Sequence, residues 1–256
     1  MAKIIGVLNE KGGVGKSTVC YNIAWELMKK GKKVLMVDLD GQRANLTFIA
    51  GMDKAKSLTT MYDVLTNGED IRKAVLVVEE TLHIVPATHA VTLISQENSP
   101  IDNMKRAMGT VWEYYDYIFI DVPPTPGRTH ALTLAVADFI LVTMLPDIAS
   151  LEANKGIMET VKLAQDNVNP NLKILGFVFN RYSWRPLLSR NVMAAAEKMA
   201  SNFDTKVFKT KIRNAVAVSE AVGKHEGVTT AASKSNGAED FKALVEEFES
   251  EVIKNG

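Results

Sequence analysis

At 256 residues with 46% hydrophobic and 23% charged side chains, the chain has the composition of a globular protein able to bury a large core in one or two domains, which excludes disordered, collagen-like and disulfide-scaffold classes. Thirty basic side chains balance thirty acidic ones, so the net charge is zero and the chain as a whole is no obvious nucleic-acid binder. The single cysteine, Cys20, has no partner for an internal disulfide, which fits a reducing compartment and weakens any iron–sulfur carrier reading.

The N-terminal Met-Ala-Lys-Ile-Ile-Gly-Val-Leu gives way to Asn9-Glu10-Lys11 too soon to supply the apolar region of a secretion signal, and a cytoplasmic protein is expected. No segment approaches the ~18–20 apolar residues needed to span a bilayer; the best, Ala131 to Leu145, is broken by Asp138. Short β-branched runs alternate with helical stretches: Ile4–Leu8, Lys33–Val37, Leu82–Val85, Tyr117–Ile120, Phe139–Met144, Ile174–Phe179 and a shorter candidate at Lys206–Phe208. Most are continuously apolar, as are strands of a parallel sheet covered on both faces. Between the first two runs, Val19, Ile23, Ala24, Leu27 and Met28 form one apolar stripe that ends at Lys29-Lys30-Gly31. Further helices are expected at about 58–66, 100–115, 150–167, 187–201 and 238–253, the last docked on the core. No linker, low-complexity segment or internal repeat interrupts the pattern. Residues 1–256 are therefore expected to form one α/β domain, a mostly parallel twisted sheet with helices on both faces.

Lys11-Gly12-Gly13-Val14-Gly15-Lys16-Ser17-Thr18 lies between the first strand and the first helix. Glycines there let the backbone turn and aim successive N–H groups at phosphate oxygens, and the helix N-terminus adds its partial positive charge. Lys16 is placed to reach the β- and γ-phosphates of ATP, Ser17 to put its hydroxyl on Mg²⁺, and Thr18 to hydrogen-bond the α-phosphate. The strict G-x-x-x-x-G-K-[ST] spacing fails, because its first glycine falls on Glu10.

The departure matches another pattern. Lys11 to Ser17 fit K-G-G-x-x-K-[ST], and the chain resembles the ParA/MinD group of P-loop ATPases. The resemblance implies a P-loop NTPase fold, and a lysine at position 11 that reaches across a nucleotide-sandwiched homodimer to the partner's phosphates. It also implies that Asp40 positions or polarises the attacking water and that Asp38 supports the Mg²⁺ shell, although Gly41 and Arg43 depart from the group's D-x-D-P-Q-G. Asp121 ends a third apolar strand, where a carboxylate suits a metal-bound water. The Pro123-Pro124 that follows it resembles the group's second switch. Asn180-Arg181 closes a further strand and supplies candidate nucleotide contacts, Asn180 being either an adenine contact or a turn residue.

Within that group, the stretch Ile212-Arg213 through Ser219-Glu220-Ala221, followed by Lys234-Ser235-Asn236-Gly237-Ala238-Glu239-Asp240-Phe241, resembles the plasmid and chromosome partition branch. That likeness implies non-specific DNA binding, a ParB-like centromere-binding partner and a nucleoid-associated bacterial protein. Charge is distributed accordingly: residues 171–224 carry a net +7, residues 225–256 a net −4 and residues 1–170 a net −3. Arg190, Lys209, Lys211 and Arg213 are the preferred DNA-binding candidates. Trp184 beside Arg185 is either a contact or a cover for the core. Glu239 to Glu251 form an acidic amphipathic helix that anionic lipid would repel, so no membrane partner is expected. A positioning ATPase that carries a protein cargo without DNA, or a MinD-like membrane ATPase, is the alternative.

Overall fold

The computed structural model describes residues 1–41, 46–53, 59–96, 101–183 and 186–256. Apolar strand β1 (Lys3–Leu8) leads through the glycine loop into α1 (Lys16–Lys29), and Gly31 at φ 81° turns the chain toward β2 (Val34–Asp38). After α2 (Leu46–Ile49), α3 (Met61–Asn67) starts from a reciprocal cap between Thr60 and Asp63, and left-handed Gly68 ends it. A 3₁₀ turn at Ile71–Ala74 precedes the hairpin of β3 (Leu76–Glu79) and β4 (Leu82–Val85), and a second 3₁₀ segment, His89–Gln96, follows it. Next come α4 (Ile101–Val111), β5 (Tyr117–Asp121), α5 (Arg128–Leu134), β6 (Phe139–Met144), α6 (Ile148–Asn167), β7 (Lys173–Phe179) and α7 (Pro186–Asn202). Helices α8 (Val216–Gly223), α9 (Val228–Ala231) and α10 (Asn236–Asn255) complete the described chain.

The strands form one seven-stranded sheet in the order β3-β4-β2-β5-β1-β6-β7, parallel except for the β3–β4 hairpin at one edge. Alternating residues of the central strands feed two cores. Ile4, Leu8, Val37, Ile118 and Ile120 pack with α3, α4, α6 and α7, whereas Ile5, Val7, Met36 and Phe119 pack with α1, α2 and α10. Helix α1 is buried nearly all round because it is sandwiched between the sheet and α10. Helix α10 presents Phe241, Leu244, Val245 and Phe248 to that core, with Phe248 5.7 Å from Phe119 and 5.8 Å from Tyr117 between ring centroids. Burial of each such side chain contributes roughly 1.5–3 kcal/mol, which docks the acidic C-terminal helix despite its charge.

Two expectations are corrected. The Lys206–Phe208 run is no ladder strand; it meets β7 through the isolated Phe177–Val207 bridge, and the segment beyond it bonds β7 irregularly, with Ile212 N donating to Phe179 O at 2.9 Å. The β3 edge strand, α2, α5, α8 and α9 have no counterpart among the expected elements.

Candidate active site

β1 and β5 are neighbours, as are β2 and β5, so the glycine loop and the ends of β2 and β5 converge at the C-terminal ends of the central parallel strands. Gly13 and Gly15 adopt φ 75° and 87°, a region that side chains disfavour, and Gly15 begins α1. Gly12 and Gly13 are exposed and Val14 is buried, so the loop turns its backbone outward while anchored from beneath. Lys16 is 6% exposed; burial lowers its pKa, opposed by the charges of Asp121 and Asp40.

Asp38 and Asp121 are cross-strand partners in register, and strand alternation turns both to the α1 side, among Met36 and Phe119. Both are fully buried. Asp38 is satisfied: its Oδ1 accepts the Asp40 N–H at 2.9 Å, and its Oδ2 accepts the Thr47 N–H at 2.8 Å and the Thr47 hydroxyl at 2.6 Å. Burial, then the charge of Asp121, still drives its pKa well above the ordinary carboxylate range. Neither oxygen of Asp121 finds a hydrogen-bond partner among the described residues. Burial pushes its carboxyl up to about 7, against the pull of Lys16 and of the Ser17 hydroxyl, with Asp40 adding to the rise. An orphaned buried carboxylate beside a second carboxylate and a serine hydroxyl is the donor set that Mg²⁺ takes when it keeps its waters and a phosphate oxygen. The residues therefore fit the metal expected at Ser17, Asp38 and Asp121.

Asp40 lines a cavity of about 200 Å³ together with Pro123, Thr125 and Thr129. The chain that leaves β2 and the Pro123-Pro124 segment therefore meet around one small volume. Gly41 has no room for a side chain, since a Cβ there would lie 2.8 Å from Thr88 O and 2.9 Å from Thr92 Cγ2. That close approach to the 88–92 turn accounts for glycine where proline is usual in the resembled group. Gln42 and Arg43 lie outside the described residues.

Lys11 sits at the outer rim of the loop. Its N–H donates to Asn9 Oδ1 at 2.6 Å, and the Asn9 amide donates to Thr143 O on β6. Its ammonium is held by Asp147 at 2.9 and 2.7 Å. Asp147 caps α6 by accepting the Ser150 N–H at 2.7 Å. Burial raises the Asp147 carboxyl, but the Lys11 and Ser150 hydrogen bonds outweigh it and hold the pKa below the usual range.

Asn180 is 4% exposed and binds the phosphate loop: its amide donates to Val14 O at 2.8 Å and its Oδ1 accepts the Arg181 N–H at 2.9 Å. Both ends of the amide are thus engaged, at the turn that leaves β7 and at the phosphate loop, which is the turn role among the two expected for Asn180. Arg181 takes φ 50°, a left-handed turn out of β7. Beside it opens a cavity of about 250 Å³, lined by Thr18, Ile49, Asn180, Arg181 and the 212–222 segment. Its position next to Thr18 and α1 is where the nucleoside of a phosphate-bound nucleotide would extend.

The basic segment is partly neutralised. Arg213 Nε and Nη2 grip Asp240 at 2.7–3.0 Å, and Nη2 also reaches Glu239 at 3.2 Å. Lys206 pairs with Glu247 and Glu251 at 3.0 and 2.9 Å. The Arg213 guanidinium, a DNA-binding candidate, thus also anchors α10. Arg213→Ala should lower the melting temperature by about 5 °C in calorimetry, because it takes the guanidinium from the buried Asp240 carboxylate and leaves it, among the described residues, only the backbone N–H of residue 213. Lys209 is exposed, and Lys211 lies over the Tyr182 ring at 5.6 Å. Arg190 is on α7, but its side chain, like Trp184 and Arg185, lies outside the described residues.

Asp147, Thr47, Asn9 and Asp240 are the functional partners that the sequence reading missed. Asp147 and Thr60 could have been read as helix caps, but nothing local joins Asp147 to a lysine 136 residues away.

Comparison with known proteins agrees with this geometry. The family model described as AAA domain matches residues 2–174. The sporulation initiation inhibitor protein Soj of Bacillus subtilis (strain 168) is 34% identical over 263 residues, with 100% of each chain covered. The chromosome partitioning protein ParA of Myxococcus xanthus is 30% identical over 97% of this chain and 88% of its own length. Among solved structures, the septum site-determining protein MinD of Pyrococcus horikoshii, complexed with Mg-ADP, superposes with a TM-score of 0.77 at 26% identity, covering 100% of this chain and 99% of that one. With a lysine-bearing glycine loop, two strand-end aspartates side by side and these relatives along its length, the chain belongs to the ParA/MinD-type family of P-loop ATPases.

Proposed function

We propose that the protein is a partition ATPase: ATP joins two copies through Lys11, the dimer binds DNA without sequence preference, and a ParB-like centromere-binding protein stimulates an otherwise slow, Mg²⁺-dependent hydrolysis that releases it. The observation that carries this reading is Lys11, a second lysine on the phosphate loop, whose ammonium is part-exposed and pairs with Asp147 at the start of α6. Lys16 neutralises the β- and γ-phosphates of the bound nucleotide, Ser17 and Asp121 hold the metal and its water, Asp38 supports that shell, and Thr18 binds the α-phosphate. Mg²⁺, when bound, supplies charge neutralisation at the phosphates. Asn180 braces the loop at Val14, and Asn180-Arg181 with the 212–222 segment encloses the nucleoside. No helix among the described residues is long and apolar enough to cross a membrane, and the acidic α10 is docked on the core, where anionic lipid would not recruit it.

Duplex binding by phosphate neutralisation is salt-dependent. In mobility-shift assays with ATP, Lys209→Glu combined with Lys211→Glu should weaken duplex binding at least tenfold and reduce the salt slope, with nucleotide affinity unchanged. Undiminished binding would remove this face from the proposal. A second reading, a positioning ATPase that carries a protein cargo, is favoured by the pairing of Arg213 and Lys206 with acids of α10, which reduces the positive surface. Absence of ATP-dependent DNA binding by the parent chain at low salt would select it.

A further inference from the structure

We propose that Asp147 is a positioning residue that holds Lys11 within its own subunit, and that this hold must open before a second copy of the chain can close over the nucleotide. The proposal rests on the reading that Lys11 serves the partner's phosphates. It makes Asp147 a competitor of that phosphate: each supplies anionic oxygens to the same ammonium, one within the subunit and one across the dimer.

The geometry is that of a clamp with one fixed jaw. Asp147 Oδ1 accepts both the Lys11 ammonium and the Ser150 N–H, while Ser150 Oγ accepts the Leu145 N–H at 3.0 Å. The carboxylate is therefore held by the start of α6 and by the chain that leaves β6. The other jaw is flexible only at the side chain, because the Lys11 N–H is pinned to Asn9 Oδ1 and Asn9 is tied to β6. Side-chain exposure is 30% for Lys11 and 38% for Asp147, so the pair can separate into water without stranding a buried charge. Ile148, the residue after Asp147, is 59% exposed, an apolar side chain beside the clamp that a second copy would cover.

Asp147→Asn and Asp147→Ser separate the hold from the cap. Both side chains still accept the Ser150 N–H, so α6 and the melting temperature should be preserved. Asparagine removes the charge, and serine removes the reach as well. Half-exposed charge-assisted pairs of this kind change an equilibrium about three- to fivefold each. Two open per dimer, so sedimentation equilibrium in saturating ATP should give a dimer dissociation constant about tenfold lower for Asp147→Ser than for the parent. In the nucleotide-free monomer, acylation of Lys11 by a succinimidyl ester, read by mass spectrometry, should run several-fold faster in Asp147→Ser, with other lysines unchanged. A parent that dimerises with ATP and a variant that dimerises no more tightly overturn the proposal, as does an unchanged Lys11 acylation rate. A parent that never dimerises with ATP overturns the dimer reading instead, and the acylation result then reports only on the hold itself.

Discussion

Asp40→Ala should lower ATP turnover by at least a hundredfold while ATP affinity stays equal or rises slightly. A group that positions or polarises an attacking water contributes about 10²–10⁴ in rate, and its loss leaves the phosphate cradle intact. Asp40 is suited to that work by where its backbone is held. Its N–H is fixed to Asp38 Oδ1, which ties the residue to the end of β2, and its surroundings form the cavity bounded by Pro123, Thr125 and Thr129. The wall also carries the Thr125 side chain, and Leu39 and Val91 close the volume from the core side. Asp40 also raises the pKa of Lys16 by its charge. Removing it relieves a like-charge repulsion toward the incoming phosphates, hence the expected small gain in affinity. Phosphate release measures turnover, and a fluorescent ATP analogue measures binding. Because hydrolysis ends the ATP state, the variant should also accumulate as a dimer in light scattering. Parental turnover in Asp40→Ala would move the water-positioning role to another side of the cavity.

The parts of this site that were legible in the sequence share one property: they are local. The glycine loop, Lys16 and Ser17 stand within one strand–turn–helix unit, and Asp38 and Asp121 each terminate an apolar run whose direction in a parallel sheet fixes the end they occupy. What was not legible depends on segments far apart in the chain. Lys11 meets Asp147, Arg213 meets Asp240, and Lys206 meets Glu247 across 136, 27 and 41 residues. The charge profile suffered most from this. A basic third and an acidic tail are separate in sequence, but α10 folds its acids against Lys206 and Arg213, so the linear +7 overstates the positive face. Short elements were missed for a different reason. Helices α5 and α8 lack a capping side chain at Gly127 and Ala215, and β3 turns into β4 through Glu80-Thr81 without the glycine or asparagine that marks a hairpin.

The cross-strand pair of carboxylates is where fold and chemistry conflict. Like charges directly opposed on adjacent strands destabilise a sheet, and burial aggravates it. Asp38 is relieved by Thr47 and by the turn at Asp40; Asp121 has only the electrostatic influence of Lys16 and the nearby Ser17 hydroxyl. Such an arrangement persists because function needs it, and a cation with its waters would complete it.

Asp121→Asn should therefore separate stability from activity. In the nucleotide-free, magnesium-free protein, the folded carboxyl titrates at about 7, above its ordinary 3.8, so between those values the folded chain binds a proton that the unfolded chain does not. The resulting stability is fully present below about pH 4 and is lost as pH rises through about 7, a loss bounded at about 4 kcal/mol for a single group. Asparagine is neutral throughout and suffers no such loss. The variant should thus melt higher than the parent in EDTA at pH 7.5, by a margin that shrinks toward pH 5. Its Mg²⁺-dependent phosphate release should fall at least a hundredfold, because an amide holds a metal-bound water less strongly than a carboxylate does. A variant that melts lower than the parent at pH 7.5 would mean that Asp121 is satisfied within the fold. The unpartnered carboxylate would then no longer point to a cation.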